Sequence, residues 1–145
     1  IWLGLVGSEM CIRDRPNSRT QIFLTDDDSD TGLWYRLASV SYMGGSLYGG
    51  NIPNPMIAAA LGSAVVHGPD IINFQHAYAR LFEAGATVSL HEMGDLSQRV
   101  ALLMESDQCA DMAAKGWRVV SEGAIATDRL AELALQKTGF GDLDK

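Results

Sequence analysis

Two stretches gather residues able to hold a charged ligand. The first is Ser41 to Gly62, SYMGGSLYGGNIPNPMIAAALG. It reads as a short apolar strand (Val40 to Met43), a glycine-rich loop and an apolar helix opened by Asn54-Pro55. Gly44, Gly45, Gly49 and Gly50 allow backbone angles closed to other residues. Asn54 is a good N-cap, and Pro55 suits a first helical position, which needs no N–H. A glycine loop feeding a helix leaves N–H groups unpaired, and with the helix dipole they suit a phosphate or carboxylate. The same residues also suit a connection that holds no ligand. The loop is neither a Walker loop, since no Gly-Lys-Ser/Thr follows, nor a clean GxGxxG.

The second stretch is acidic: Asp26, Asp27, Asp28 and Asp30, with Ser29 between. Clustered carboxylates suit a hard cation. Here the EF-hand spacing, its closing Glu and its glycine are all missing, so no metal site is assigned. Acids before a helix starting near Thr31 suit its positive end instead.

The elements that position these stretches follow from the pattern. Apolar runs predict strands at Gln21 to Thr25, Val40 to Met43, Ala64 to His67 and Ala86 to Leu90. Helices are expected at Gly32 to Ala38 (Leu33, Trp34 and Leu37 at helical spacing) and at Asn54 to Leu61 with Gly62 as C-cap. A further helix, Asn73 to Ala84, has Asn73 as N-cap and Phe74, Ala77, Tyr78, Leu81 and Phe82 as apolar face. Asp95 to Glu105 turns Leu96, Val100 and Leu103 inward. Helical segments follow from Asp107, broken at Gly116 and Gly123, with a last helix capped by Thr127-Asp128. Strands alternating with helices predict an α/β, Rossmann-like parallel sheet with flanking helices. Such sheets bind ligands at the carboxyl ends of their strands, where the glycine loop, Asp30 and Gly68-Pro69 all fall. His67 is read as a partly buried histidine bonded to backbone, and His76 and His91 receive no role.

Motif order adds a resemblance. Leu24-Thr25-Asp26, then GGSL, NP and an alanine-rich helix, then Val65-Val66 into Gly68-Pro69, Asn73-Phe74 and Ala84-Gly85-Ala86 follow one another. This succession resembles the C-terminal domain of the 3-deoxy-D-manno-octulosonic acid (Kdo) transferases, over roughly Ile22 to Leu135. The resemblance implies the donor-binding half of a two-domain GT-B glycosyltransferase of lipopolysaccharide synthesis. Its donor would be CMP-Kdo and its acceptor a lipid A precursor, lipid IV-A, with inversion and loss of CMP. It would work at the cytoplasmic face of the bacterial inner membrane, in contact with it through an N-terminal domain. That domain would also carry the catalytic base, so no catalytic residue is named here and residues 16–145 alone are expected to be inactive. No cofactor or metal is implied.

Donor-nucleotide contacts are expected from Gly44, Gly45, Ser46, Asn54 and Pro55, and from Ser29 and Asp30, which stand where the family carries Gly-Glu. Three positions depart from the pattern. Pro53 replaces a His, Ile57 replaces a Glu expected to hold the nucleotide's ribose, and Asp70 follows Gly68-Pro69 where a His is common. Another nucleotide-sugar GT-B enzyme and a non-catalytic nucleotide-binding homologue are the alternative readings.

Leu5 to Arg15, LVGSEMCIRDR, resembles a translated sequencing-library adapter, and residues 1–15 are set apart from the domain on that ground. Cys109 is then the one remaining cysteine, which gives neither a disulfide nor a metal pair. Of the 145 residues nearly half are apolar, as in a globular chain. The net charge of -7, with no basic cluster, argues against nucleic-acid binding. No apolar run approaches the roughly 20 residues that span a bilayer.

Overall fold

The computed structural model describes residues 22–23, 28–105 and 107–138. Most of the strand expected at Gln21 to Thr25 lies outside them, as do residues 1–15; Ile22 and Phe23 belong to no strand. The chain divides into two units, residues 1–31 and Gly32–Lys145. In the first, Asp28–Asp30 form a single 3-10 turn.

The second unit is built on three parallel strands, β1 (Val40–Tyr42), β2 (Ala64–His67) and β3 (Thr87–Ser89), in the order β1-β2-β3. Val40 pairs with Ala64, and Val65 with Thr87. Bonds from Met43 N to Val66 O (2.8 Å) and from Leu90 N to His67 O (2.7 Å) carry the pairing past the strand ends. The helices are α1 (Thr31–Leu37), α2 (Pro55–Ala60), α3 (Gln75–Glu83), α4 (Gly94–Met104) and α5 (Gln108–Thr138). This is the Rossmann-like parallel sheet that the alternating pattern predicts.

Successive strand residues face opposite sides of a sheet, and central β2 is buried along its whole length. Val65 enters one core with Met43, Ala58, Ala59, Tyr78, Leu81 and Val119. Ala64 and Val66 enter the other with Leu90, Leu103 and Met112. Two crossovers running the same way across the sheet put α2 and α3 on the same face. Helix α4 takes the opposite face, and α5 contributes to both cores.

Local chemistry sets both returns from helix to strand. Gly62 (φ 87°) and Gly85 (φ 69°) stand just past α2 and α3 in the left-handed region. Gly62 N donates to Ala59 O and Ser63 N to Ala58 O. Gly85 N to Phe82 O and Ala86 N to Leu81 O repeat the arrangement. These are Schellman motifs, which satisfy the last carbonyls of a helix. Asn54 caps α2 as expected: its Oδ1 accepts from Met56 N at 3.0 Å, with Pro55 as first helical residue.

Four expectations give way to packing. Asn73 does not cap α3. A 3-10 turn over Ile72–Phe74, closed by Phe74 N to Ile71 O, delays the helix to Gln75, and Phe74 stands at the cap. Phe82 leaves the core face and is 67% exposed. Helix α1 has no buried residue; Leu33 and Leu37 are exposed, and Tyr35 packs against the first core in their place. Finally, Gly116 and Gly123 break nothing. Helix α5 runs unbroken for 31 residues, and Thr127 is no cap, since its hydroxyl donates back to Gly123 O within the helix. Gly116 is buried because α2 crosses there; a Cβ on it would lie 3.2 Å from that of Ala59. Among the described residues no helix is long and apolar enough to cross a membrane.

Candidate functional site

At the carboxyl ends of β1 and β2 two loops meet. The first, from Met43 to Asn54, turns back on itself through Gly45 (φ 81°) and Gly49 (φ 75°). A Cβ on Gly45 would lie 3.0 Å from Asn51 O, so the fold of this loop needs glycine for space as well as for angle. The second is Gly68-Pro69-Asp70, leading out of β2.

Ser46 joins them. Its side chain is fully buried. The hydroxyl donates to Met43 O at 2.5 Å and accepts from Gly68 N at 2.7 Å. Its carbonyl accepts from Asp70 N at 2.8 Å. The Asp70 carboxylate lies along the glycine loop, with Oδ2 3.6 Å from where a Gly49 Cβ would stand.

The donors available to an anion here are those of the loop. Among the described residues, no backbone bond uses the N–H of Gly44, Gly45 or Ser46, and since Ser46 is wholly buried the accessible ones are those of Gly44 and Gly45. The start of α2 offers less than the sequence suggests. Pro55 is buried and has no N–H, Met56 N is held by the Asn54 side chain, and Ile57 N points to Asn54 O at 3.3 Å. The helix is six residues long, which leaves little dipole. Asn54 and Pro55 therefore shape the corner of the loop, and of the two only the Asn54 side-chain amide is left to meet a ligand. Ile57 is half exposed beside them. No Lys or Arg occurs between positions 37 and 79, so these two loops bring no cationic side chain to an anion.

Ser29 and Asp30 lie in the 3-10 turn of the first unit, both exposed. His67 ends β2 and is buried, as the sequence suggests. One ring nitrogen, Nδ1, is 2.6 Å from Gly68 O and donates to it; Nε2 has no partner among the described residues. Its ring contacts that of Tyr78, with centroids 4.5 Å apart. Burial holds His67 below the usual histidine range, with the Gly68 carbonyl pulling the other way. A buried imidazole bonded to backbone fits the structural role that the sequence suggests. Cys109 is equally unsuited to chemistry: its thiol donates to Ser39 O, and burial pushes its pKa up. Among the described residues no three His, Cys, Asp or Glu side chains gather as a metal site would need. Sequence reasoning missed the buried hydroxyl of Ser46 as a link between loops; its only sequence signal is a serine inside a glycine run.

A parallel sheet with a glycine loop at the carboxyl end of β1 defines an α/β domain of the kind that binds ligands at that edge. Comparison with known proteins narrows the class. The chain is 29% identical over 122 residues to the 3-deoxy-D-manno-octulosonic acid transferase of Haemophilus influenzae, a match that covers 81% of this chain and 28% of that enzyme. Its structure superposes on the crystal structure of the C-terminal CMP-Kdo binding domain of WaaA from Acinetobacter baumannii with a TM-score of 0.62 and 28% identity, over 70% of this chain and 54% of that one. No family model matches. The resemblance read from the motifs is thus borne out: the chain is similar to Kdo transferases, and its fold is that of their C-terminal domain. It spans little more than a quarter of the Haemophilus enzyme's length.

Proposed function

We propose that this chain is the donor-binding, C-terminal half of a two-domain glycosyltransferase that moves Kdo from CMP-Kdo to a lipid A precursor such as lipid IV-A, in lipopolysaccharide synthesis at the cytoplasmic face of the inner membrane. The observation that supports it is the glycine loop with unengaged N–H groups, at the carboxyl edge of a sheet matching a CMP-Kdo binding domain. In the reaction, an acceptor hydroxyl oxygen bonds to the anomeric carbon of Kdo from the face opposite the phosphate. The bond from that carbon to the phosphate oxygen breaks, and CMP leaves with the electron pair. The hydroxyl proton passes to a carboxylate of the other half. The Gly44 and Gly45 N–H groups stabilise charge growing on the departing phosphate. Hydrogen bonds to an ion contribute about 1.5–3 kcal/mol each. Asp30 and Ser29 contact the nucleotide in this reading.

Ile57 favours a second reading, a homologue that has lost tight nucleotide binding. An isoleucine supplies no acceptor for ribose hydroxyls, and each hydroxyl left buried and unpaired costs about 1–3 kcal/mol. Calorimetric titration with CMP, UMP and UDP separates the readings. The first expects CMP to bind most tightly, Ile57→Glu to strengthen it by about tenfold (one hydrogen-bonded carboxylate), and no Kdo transfer by this domain alone. Binding of none of the three, by wild type or by Ile57→Glu, leaves the non-catalytic homologue standing. Preference for a uridine nucleotide selects another glycosyltransferase.

A further inference from the structure

We infer that Ser46 is a positioning residue that latches the two loops of the candidate site into one rigid cradle, and that its hydroxyl serves the protein rather than the ligand. The inference rests on the donor-binding reading for its purpose, but not for its geometry. Three hydrogen bonds converge on this one residue. Its hydroxyl spans from Met43 O, where β1 ends, to Gly68 N, where β2 ends, and its carbonyl holds Asp70 N. The side chain is wholly buried, so both hydroxyl partners are sealed from water with it.

Residue types around the latch fit this role. Gly68 is a matter of space: a Cβ there would lie 2.3 Å from Ser46 O and 2.7 Å from Leu47 Cγ. Alanine at 46 would leave the buried Gly68 N–H and one acceptor position of Met43 O unmet, which a folded protein avoids by opening to water. The N–H groups available to a phosphate, those of Gly44 and Gly45, sit immediately before the latch. A loop rich in glycine is costly to order on binding, and ordering it beforehand strengthens binding without any new ligand contact. The latch supplies that order.

The test compares two buried hydroxyls. Ser46→Ala opens the latch. Ser41→Ala removes a different buried bond, that between Ser41 Oγ and Ser63 Oγ (2.7 Å), away from the glycine loop. Both variants should lower the urea midpoint. Only Ser46→Ala should weaken CMP binding, by about tenfold or more, and speed exchange of the Gly68 and Asp70 amides together. Equal loss of CMP affinity in both variants would overturn the role. Wild-type exchange gives a reading that needs no variant: the Gly68 and Asp70 amides, both donated to Ser46, should open with one common free energy. Separate opening sinks the latch. If wild type binds no CMP, the donor-binding reading falls, and the exchange coupling still decides the latch.

Discussion

His67 shows how one side chain ties the stability of the sheet to pH. It stands at the end of the fully buried strand β2, 5% exposed, between the Gly68 carbonyl and the Tyr78 ring. Burial disfavours its cation and lowers its pKa below the ordinary histidine value. Tyr78, whose ring it meets, is pushed up by burial and further by Tyr35, so it stays neutral. The unfolded chain therefore takes up a proton at higher pH than the folded one. The stability from the neutral imidazole is complete above about pH 6.5 and is lost as pH falls toward the lowered folded value. The urea midpoint of wild type should fall over that interval. His67→Gln, less stable at neutral pH, should lack this part of the slope; parallel profiles for the two proteins would contradict the assignment.

At the scale of elements, the two glycines of α5 predict opposite outcomes. Both carry the usual helix penalty of about 1 kcal/mol relative to alanine. At Gly123 a Cβ meets only the Arg80 guanidinium at 3.6 Å, an ordinary van der Waals contact, so Gly123→Ala should stabilise by about 0.5–1 kcal/mol. At Gly116 it meets the Cβ and backbone of α2 at Ala59 (3.2 and 3.6 Å) and Ala86 at 3.7 Å. Overpacking of this kind costs about 1–3 kcal/mol, which outweighs the propensity gain. Gly116→Ala should therefore lower the melting temperature, and Gly123→Ala should raise it.

Over the whole second unit, α5 is the tie between the two cores and then outruns both. At 1.5 Å per residue its 31 residues extend about 46 Å. Met112 enters one core and Val119 the other, and Arg80 Nη2 donates to Val119 O at 3.3 Å. From Ala124 to Lys137 every residue is exposed, Ile125, Leu130 and Leu133 among them. Ending the chain after Gly123 should then change the unfolding free energy by less than about 1 kcal/mol. Ending it after Met112, which removes Gly116 and Val119, should prevent cooperative unfolding in urea.

What the sequence by itself determined is everything that depends on near neighbours. The apolar runs of β1, β2 and β3, the Asn54-Pro55 entry to α2 and the glycines that end α2 and α3 are legible because strand patterning, capping and left-handed turns are written in a few adjacent residues. Motif order also sufficed to recover the resemblance that both comparisons bear out. Only the tertiary structure decided what depends on residues far apart in the chain. Gly116 reads as a break until α2 is seen crossing it, and the helical spacing of Leu33 and Leu37 does not show that both are exposed. Ser46 reads as one more loop residue until Gly68, 22 positions later, arrives at its hydroxyl. Backbone preference acts within a turn of chain, whereas close approach, burial and a hydrogen-bond partner come from whichever segment the fold brings alongside.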